Sequence, residues 1–357
     1  MKNYSLLSRF RSQLFGISII GIIIFHYFEN VLNMTKGTVT YEISYVTNQF
    51  FGSIGVEVFL FLSGLGLYYS LSNNYNIKEF YKKRFVRILV PYLLFGCVIW
   101  FVTDVVLKDM NFFQYIYDLS LLSFWTSGAK LLWFIALIIP LYIAFPLIYE
   151  FVNSKNGFAK TIALCLGITL LLLCAQKAAP DAFARTEIAL KRIPIFIVGT
   201  YFGKLAYEKK EIKKTHYIWL LLGIPIKGAY ALYKTLVHFG LLENNIFTKN
   251  ISDLYGYLNR YINSYYAIGL VFLCIFILNA IHKGGLIDKI LCYAGKISLE
   301  LYMTHVTIRG IFILLKLDIY RIEIYAAAMA ISVLLAVVLH IISDKIINKI
   351  LHKKQNG

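Results

Sequence analysis

The sequence places a few ionisable side chains inside stretches that are otherwise apolar. Such groups cost several kcal/mol in hydrocarbon, so they usually mark a transport pathway or a reaction site. Each also has a structural alternative, because a histidine or glutamate can simply hydrogen-bond a neighbouring helix. The candidate functional groups of this kind are His26, Glu57, Lys227, Glu300, His305 and Arg309.

His26 has the most informative position among them. Fourteen helical steps separate Ser12 from His26, which corresponds to a rise of roughly 21 Å. If Ser12 lies near the inner surface of a membrane, the imidazole lies in its outer half. An imidazole titrates at about pH 6.5, and its commonest catalytic use is as a general base on a hydroxyl. We therefore predict that His26 is catalytic.

Two arginines form the second candidate group, within the sequence YKKRFVRILVPY of residues 81–92. Arg84 and Arg87 are three residues apart and share one helix face. Guanidinium groups bind phosphate oxygens in a bidentate manner, so the pair could hold a nucleotide-like anion, with help from Lys82 or Lys83. The alternative is a cationic anchor that sets topology and contacts lipid phosphates.

The third group lies in the segment ISLELYMTH, residues 297–305. Tyr302, His305 and Arg309 follow a helical spacing that puts them on one polar stripe. Because lipid would not tolerate that stripe, it must face the interior of a bundle or a wet cavity. The spacing alone leaves open whether the stripe binds substrate or only packs.

The chain that positions these groups has the composition of a membrane protein. It has 357 residues, of which 59% are hydrophobic and only 15% are charged, with a mean hydropathy of +0.67. A soluble domain would carry about 25% charged residues. We predict an all-α polytopic bundle, a single domain over residues 1–357, with about ten transmembrane helices. These spans are 13–31, 51–72, 87–107, 131–151, 159–176, 192–207, 217–237, 261–281, 296–316 and 324–346.

The basic residues give an orientation and argue against other partners. The net charge is +17, and Lys and Arg concentrate in loops that share one side when both termini are cytoplasmic. The exception is an outer basic loop between the fifth and sixth spans, which could face an anionic substrate. We predict no nucleic-acid partner, since no soluble basic face is visible. The five cysteines form no CxxC pair, so we assign neither a disulfide nor a metal site.

Together these segments resemble the acyltransferase-3 family of integral membrane O-acyltransferases, which modify bacterial surface carbohydrates. The resemblance covers nearly the whole chain and rests on separate motifs in the family's order. They are RSQLFGISII at 11–20 with its closing Phe25-His26, GVEVFLFLSG at 55–64, RFVR with PY at 84–92, LWF at 132–134 and ISLELYMTH at 297–305. The family usually has an arginine or lysine eleven positions before the histidine, where this chain has Phe15. Either Arg9 or Arg11 would then supply that charge from a shifted position, or this subgroup would function without it.

The resemblance implies a multi-pass protein of the bacterial plasma membrane that moves an acyl group, typically acetyl, from cytosolic acyl-CoA to a carbohydrate hydroxyl at the outer face. His26 would act as the base and Glu57 would orient it. The CoA phosphates would be bound by Arg84, Arg87 and Lys83. The acceptor side would use Trp133, Tyr302, His305 and Arg309. Acetyl-CoA would be a co-substrate without a metal, the other partners would be membrane lipids, and a homo-oligomer remains an open alternative to a monomer.

Two other functions use the same features. A glycolipid or small-anion transporter would have the same polar interior and basic loops, although transporters often show equivalent halves with broken helices. The segment PIKG at 225–228 is predicted to break its helix, and it has no obvious counterpart in the first half. A receptor-like domain that binds acyl-CoA without transfer is the third alternative.

Overall fold

A computed structural model describes residues 3–34, 36–52, 54–243, 252–280 and 284–352. In these ranges the regular structure is helical, apart from an isolated β-bridge between Asn3 and Glu211. The helices are α1 (Leu6–Arg9), α2 (Arg11–Met34), α3 (Val39–Phe51), α4 (Ile54–Asn73), α5 (Ile77–Trp100), α6 (Phe112–Leu119), α7 (Leu122–Ser127), α8 (Trp133–Asn153), α9 (Gly157–Ala178), α10 (Pro180–Leu190), α11 (Ile193–Tyr207), α12 (Lys214–Leu221), α13 (Gly223–His238), α14 (Ser252–Ala280), α15 (Leu286–Lys296), α16 (Ser298–Leu314) and α17 (Ile322–His352). A π-helical turn, Phe101–Leu107, continues α5.

The prediction of an all-helical polytopic bundle is confirmed. Among the described residues, eight helices are long and apolar enough to cross a membrane, and a ninth span appears if α15 and α16, bent by 73°, are counted as one. A helix lies at each of the ten predicted positions. The exception in length is α11, whose 15 residues fall short of the roughly 20 that a full crossing needs.

α11 is short because it is packed inside the bundle, against α4. A Cβ atom on Gly64 of α4 would overlap the carbonyl oxygen of Phe196, and one on Gly199 of α11 would overlap that of Phe61. The two backbones therefore touch, as small residues permit in membrane helices. α2, α8, α9 and α14 pack directly on this pair.

α2 carries His26 and runs along the same pair of helices. A Cβ atom on Gly16 would overlap the carbonyl oxygen of Leu291, and one on Gly295 that of Ser12, so α15 crosses α2 in direct backbone contact. This crossing lies at the start of α2. We call that end of the bundle the arginine end, after Arg11, and the opposite end the histidine end, after His26.

The structure also defines the secondary structure of two further segments. The apolar stretch 112–125 forms the short helices α6 and α7, which are not long enough to cross. The break predicted at PIKG lies slightly earlier, between α12 and α13 at Leu222. Pro225 falls in the first turn of α13, where its missing N–H costs no hydrogen bond. Lys227 is therefore helical, and it is only 4% exposed.

Candidate functional site

His26 is held by a carboxylate and a guanidinium. Its Nδ1 lies 2.9 Å from Oε2 of Glu29, one turn further along α2. Arg309, from α16, places one terminal nitrogen 2.7 Å from the same oxygen and donates from Nε to Oδ1 of Asn30 at 2.7 Å. The His26 side chain keeps 19% of its surface exposed, and that of Glu29 keeps 36%. The ring is thus fixed in position but still accessible.

These contacts select one tautomer of His26. Arg309 also approaches Nδ1, at 3.2 Å, but one ring nitrogen cannot both donate to a carboxylate and accept from a guanidinium. The shorter contact is with the anionic oxygen of Glu29, which can only accept. We therefore assign the proton to Nδ1, which leaves the lone pair on Nε2 available as a base.

His305 lies beside His26, and Tyr302 precedes His305 by one turn of α16, as the predicted polar stripe requires. The rings of His26 and His305 are 5.1 Å apart, and His305 is fully buried with neither ring nitrogen hydrogen-bonded. Tyr302 Oη accepts from the backbone N–H of Phe134 at 3.4 Å, so its own proton is free to be donated. The stripe of Tyr302, His305 and Arg309 therefore faces the interior.

The expected pairing of Glu57 with His26 is wrong, because Glu57 is committed elsewhere. Its Oε1 lies 3.0 Å from Nε of Arg192 and 2.6 Å from a terminal nitrogen of Arg260. Glu57 is completely buried, and a buried carboxylate needs such cations. The guanidinium of Arg192 also lies 5.1 Å from the ring centre of Trp133, so Trp133 belongs to this ion cluster.

Three arginines come together at the other end of α2. Arg84 and Arg87 of α5 and Arg11 of α2 are close enough to interact electrostatically, with the hydroxyl of Tyr142 among them. The Nε of Arg84 is buried and has no hydrogen-bond partner. We call Arg11, Arg84, Arg87 and Tyr142 the arginine cluster. Like charges gathered in this way are stabilised by an anion.

Lys83 differs from this pattern. Its ammonium is paired with Glu79, one turn earlier, at 2.5 Å, and its side chain is 46% exposed. The expectation that Lys83 joins the arginines at a phosphate site is therefore not supported by its position.

An aromatic column joins the two ends of the bundle. The guanidinium of Arg11 lies 5.6 Å from the ring centre of Phe15, and Phe15 is 5.1 Å from Phe59. Phe59 is in turn 5.9 Å from Phe134, which is 5.5 Å from Tyr302. These rings form an apolar wall between the arginine cluster and the histidines.

The comparison with known families fits this arrangement. The model of the acyltransferase-3 family, described as an acyltransferase domain, matches residues 16–341. The chain belongs to the acyltransferase-3 family. No curated protein and no solved structure gives a significant match. The acyltransferase activity therefore rests on the family and on the geometry of this chain.

In this acyltransferase, the guanidinium of Arg11 lies next to Phe15, the position at which the family usually has a basic residue. Arg11 lies one turn earlier on α2, with its guanidinium over the Phe15 ring, and it joins Arg84 and Arg87. Glu300, by contrast, makes a structural contact with a neighbouring helix. Its Oε1 lies 2.9 Å from Nδ1 of His340 on α17.

Several site residues escaped the sequence analysis. Glu29 and Asn30 follow His26 by three and four positions, a spacing that puts all three on one helix face and could have revealed them. Arg260 carries no comparable signal, because it pairs with a residue 203 positions away. Arg192 was taken as part of a basic loop, but the structure buries it to 3% exposure.

Proposed function

We propose that this acyltransferase moves an acetyl group from acetyl-CoA at the arginine end to a carbohydrate hydroxyl at the histidine end. The observation that carries the proposal is the position of His26, which is accessible and fixed by Glu29 and Arg309, about 22 Å along α2 from Arg11. The arginine end faces the cytosol and the histidine end faces outward, in a bacterial plasma membrane with both termini inside.

The arginine cluster is the binding site for the CoA phosphates. It gathers three guanidinium groups, and Nε of Arg84 is a buried donor without an acceptor. Bidentate contacts from guanidinium to phosphate are strong and directional. From there the uncharged pantetheine arm lies along the aromatic column, with its methyl and methylene groups against the rings. The thioester then reaches Tyr302 and His26.

The transfer itself needs one base and one oxyanion donor. Nε2 of His26 takes the proton of the acceptor hydroxyl while its oxygen attacks the thioester carbonyl. The carbonyl oxygen becomes an oxyanion, and the free proton of Tyr302 Oη is placed to stabilise it. When the C–S bond breaks, the imidazolium returns its proton to the CoA thiolate. Binding both reactants in line lowers the entropic barrier.

Replacement of His26 tests this mechanism. The variant His26→Ala should insert normally but should lose transfer of radiolabelled acetyl groups to surface glycan by about a hundredfold or more, the usual contribution of a general base. The matched control is His238→Ala. His238 also pairs with a glutamate, Glu42, at 2.7 Å, and its side chain is 23% exposed.

The two variants make the result specific. Both remove a histidine that is ion-paired and partly exposed, so a general loss of stability would affect them alike. Retained acetylation in His26→Ala, measured at equal protein abundance, would refute the catalytic role. Equal loss in both variants would likewise count against it.

A further inference from the structure

A polar cavity lies on the Phe25 side of α2, one residue away from His26, and the mechanism above does not use it. It occupies about 360 Å³ between α2, α3, α13 and α14, within the range of small-molecule sites. Phe25 lines this cavity, and its ring is 5.1 Å from that of His26. We call it the amide pocket, after the polar side chains that line it: Asn48, Gln49, Asn259 and Asn263, with Lys227 and Lys234.

The charge of the pocket is positive. Two lysines line it, and the described lining residues include no aspartate or glutamate. Lys227 is 4% exposed, and it lies close enough to Glu57 and Arg260 to interact with them electrostatically. Glu57 is already bound by Arg260 and by Arg192. Three cations therefore lie around one buried carboxylate, since the other acid near Arg192, Glu187, is 48% exposed and paired with Lys191. An anion in the pocket would restore the balance.

The other lining groups are those that bind sugars. Amide side chains both donate and accept, which suits hydroxyl groups. Oδ1 of Asn263 is buried without a hydrogen-bond partner, and Asn263 is only 6% exposed. Such an atom normally costs stability unless something binds it. Tyr230 adds an aromatic ring to the lining.

We propose that the amide pocket is the acceptor subsite and that it selects a sugar bearing a negative charge close to the acetylated hydroxyl. This inference rests on the proposed function, since it needs His26 to act on the bound sugar. The charge can be a carboxylate, as in a uronic acid, or a phosphate ester. In either form it would contact Lys227 and Lys234 while the amides bind the hydroxyls.

Direct binding to the purified full-length protein in detergent tests the proposal. The probes are trigalacturonic acid, the neutral galactotriose and galactose 6-phosphate, with affinities measured by thermophoresis. We expect trigalacturonic acid or galactose 6-phosphate to bind at least about tenfold more tightly than the neutral trisaccharide, as one charge-assisted contact predicts. Whichever anion binds more tightly identifies the source of the charge.

Variants locate the binding. Lys227→Gln should weaken the binding of the anionic probe about tenfold. Lys234→Gln should have the same effect, and because Lys234 lies nearer the surface this variant is less prone to misfold. Asn259→Asp adds a negative charge that repels the anionic probe, so it should also weaken binding of that probe. The matched control is Lys316→Gln, which removes an exposed lysine that does not line the pocket, and the affinity of this variant for the probe should be unchanged.

The outcomes separate this inference from the proposed function. Equal binding of neutral and anionic probes, absence of binding, or full affinity in Lys227→Gln and Lys234→Gln would overturn the subsite. The variant His26→Ala should bind the anionic probe with the affinity of the wild-type protein. If it does, while wild-type protein transfers nothing from acetyl-CoA, the proposed transfer is wrong and the binding site stands. If transfer proceeds without charge selection, only the subsite is wrong.

Discussion

The chemistry of His26 depends on the orientation of its ring. A neutral imidazole is a base at one nitrogen and a donor at the other, and its hydrogen bonds decide which. Glu29 fixes the proton on Nδ1, and Arg309 fixes Glu29 through a 2.7 Å contact. Asn30, only 2% exposed, in turn anchors Arg309. The proposed base is therefore positioned by a chain of contacts from two helices.

We predict that Glu29→Gln lowers kcat by about a hundredfold, comparable to the loss of a general base, and leaves the KM for acetyl-CoA unchanged. A glutamine keeps the shape but can present its N–H₂ to the imidazole and so favour the wrong tautomer. Glu42→Gln, which removes the carboxylate from His238, is the control and should retain activity. A rise in KM with kcat preserved would contradict the positioning role.

At this scale the sequence revealed which residues are polar in apolar surroundings, but not all of their pairings. His26, His305 and Arg309 could be found because a polar residue in a span is unusual. The partners of Glu57 could not be found in this way, since Arg192 and Arg260 are 135 and 203 positions away from it. Pairs of that kind are decided by helix packing, which a local pattern does not describe.

Helices were easier to predict than their contacts. The period and length of apolar stretches determine where a helix must form in a membrane, and all ten positions hold one. The glycines at close helix contacts differ in whether their spacing indicates the contact. Gly199 and Gly203, four residues apart on α11, both pack closely on α4. Gly16 gave no such signal, although it allows α15 to cross α2.

Two glycine substitutions test the close contact between α4 and α11. Gly199→Ala places a methyl group against the carbonyl of Phe61, so we expect a loss of about 1–3 kcal/mol in stability. Gly167→Ala makes the same change on α9 at a position with no atom within 4 Å. It should stabilise slightly, because alanine favours the helix by about 1 kcal/mol over glycine. Thermal unfolding in detergent measures both, and equal shifts would argue against the contact.

At the scale of the whole molecule, the proposed donor and acceptor sites lie at opposite ends of the bundle. The arginine cluster lies at one end and the histidines at the other, with an apolar column of rings between them. In the proposed reaction the phosphates of CoA bind at the arginine end, and the pantetheine arm brings the acyl group along the bundle to His26. The sequence could indicate each end, since both carry charged motifs. It could not indicate the column, because Phe15, Phe59 and Phe134 resemble any other core aromatics.

This separation predicts that the two ends can be impaired independently. Arg84→Ala combined with Arg87→Ala removes two charged donors from the phosphate site, so the KM for acetyl-CoA should rise at least about tenfold. Binding of the acceptor at the histidine end should be unchanged. Lys78→Ala removes an exposed cation from the first turn of the same helix and should have little effect. Raising the salt concentration should reduce the difference, since exposed charge contacts are screened. Unchanged affinity for acetyl-CoA in the double variant would mean that the phosphates bind elsewhere.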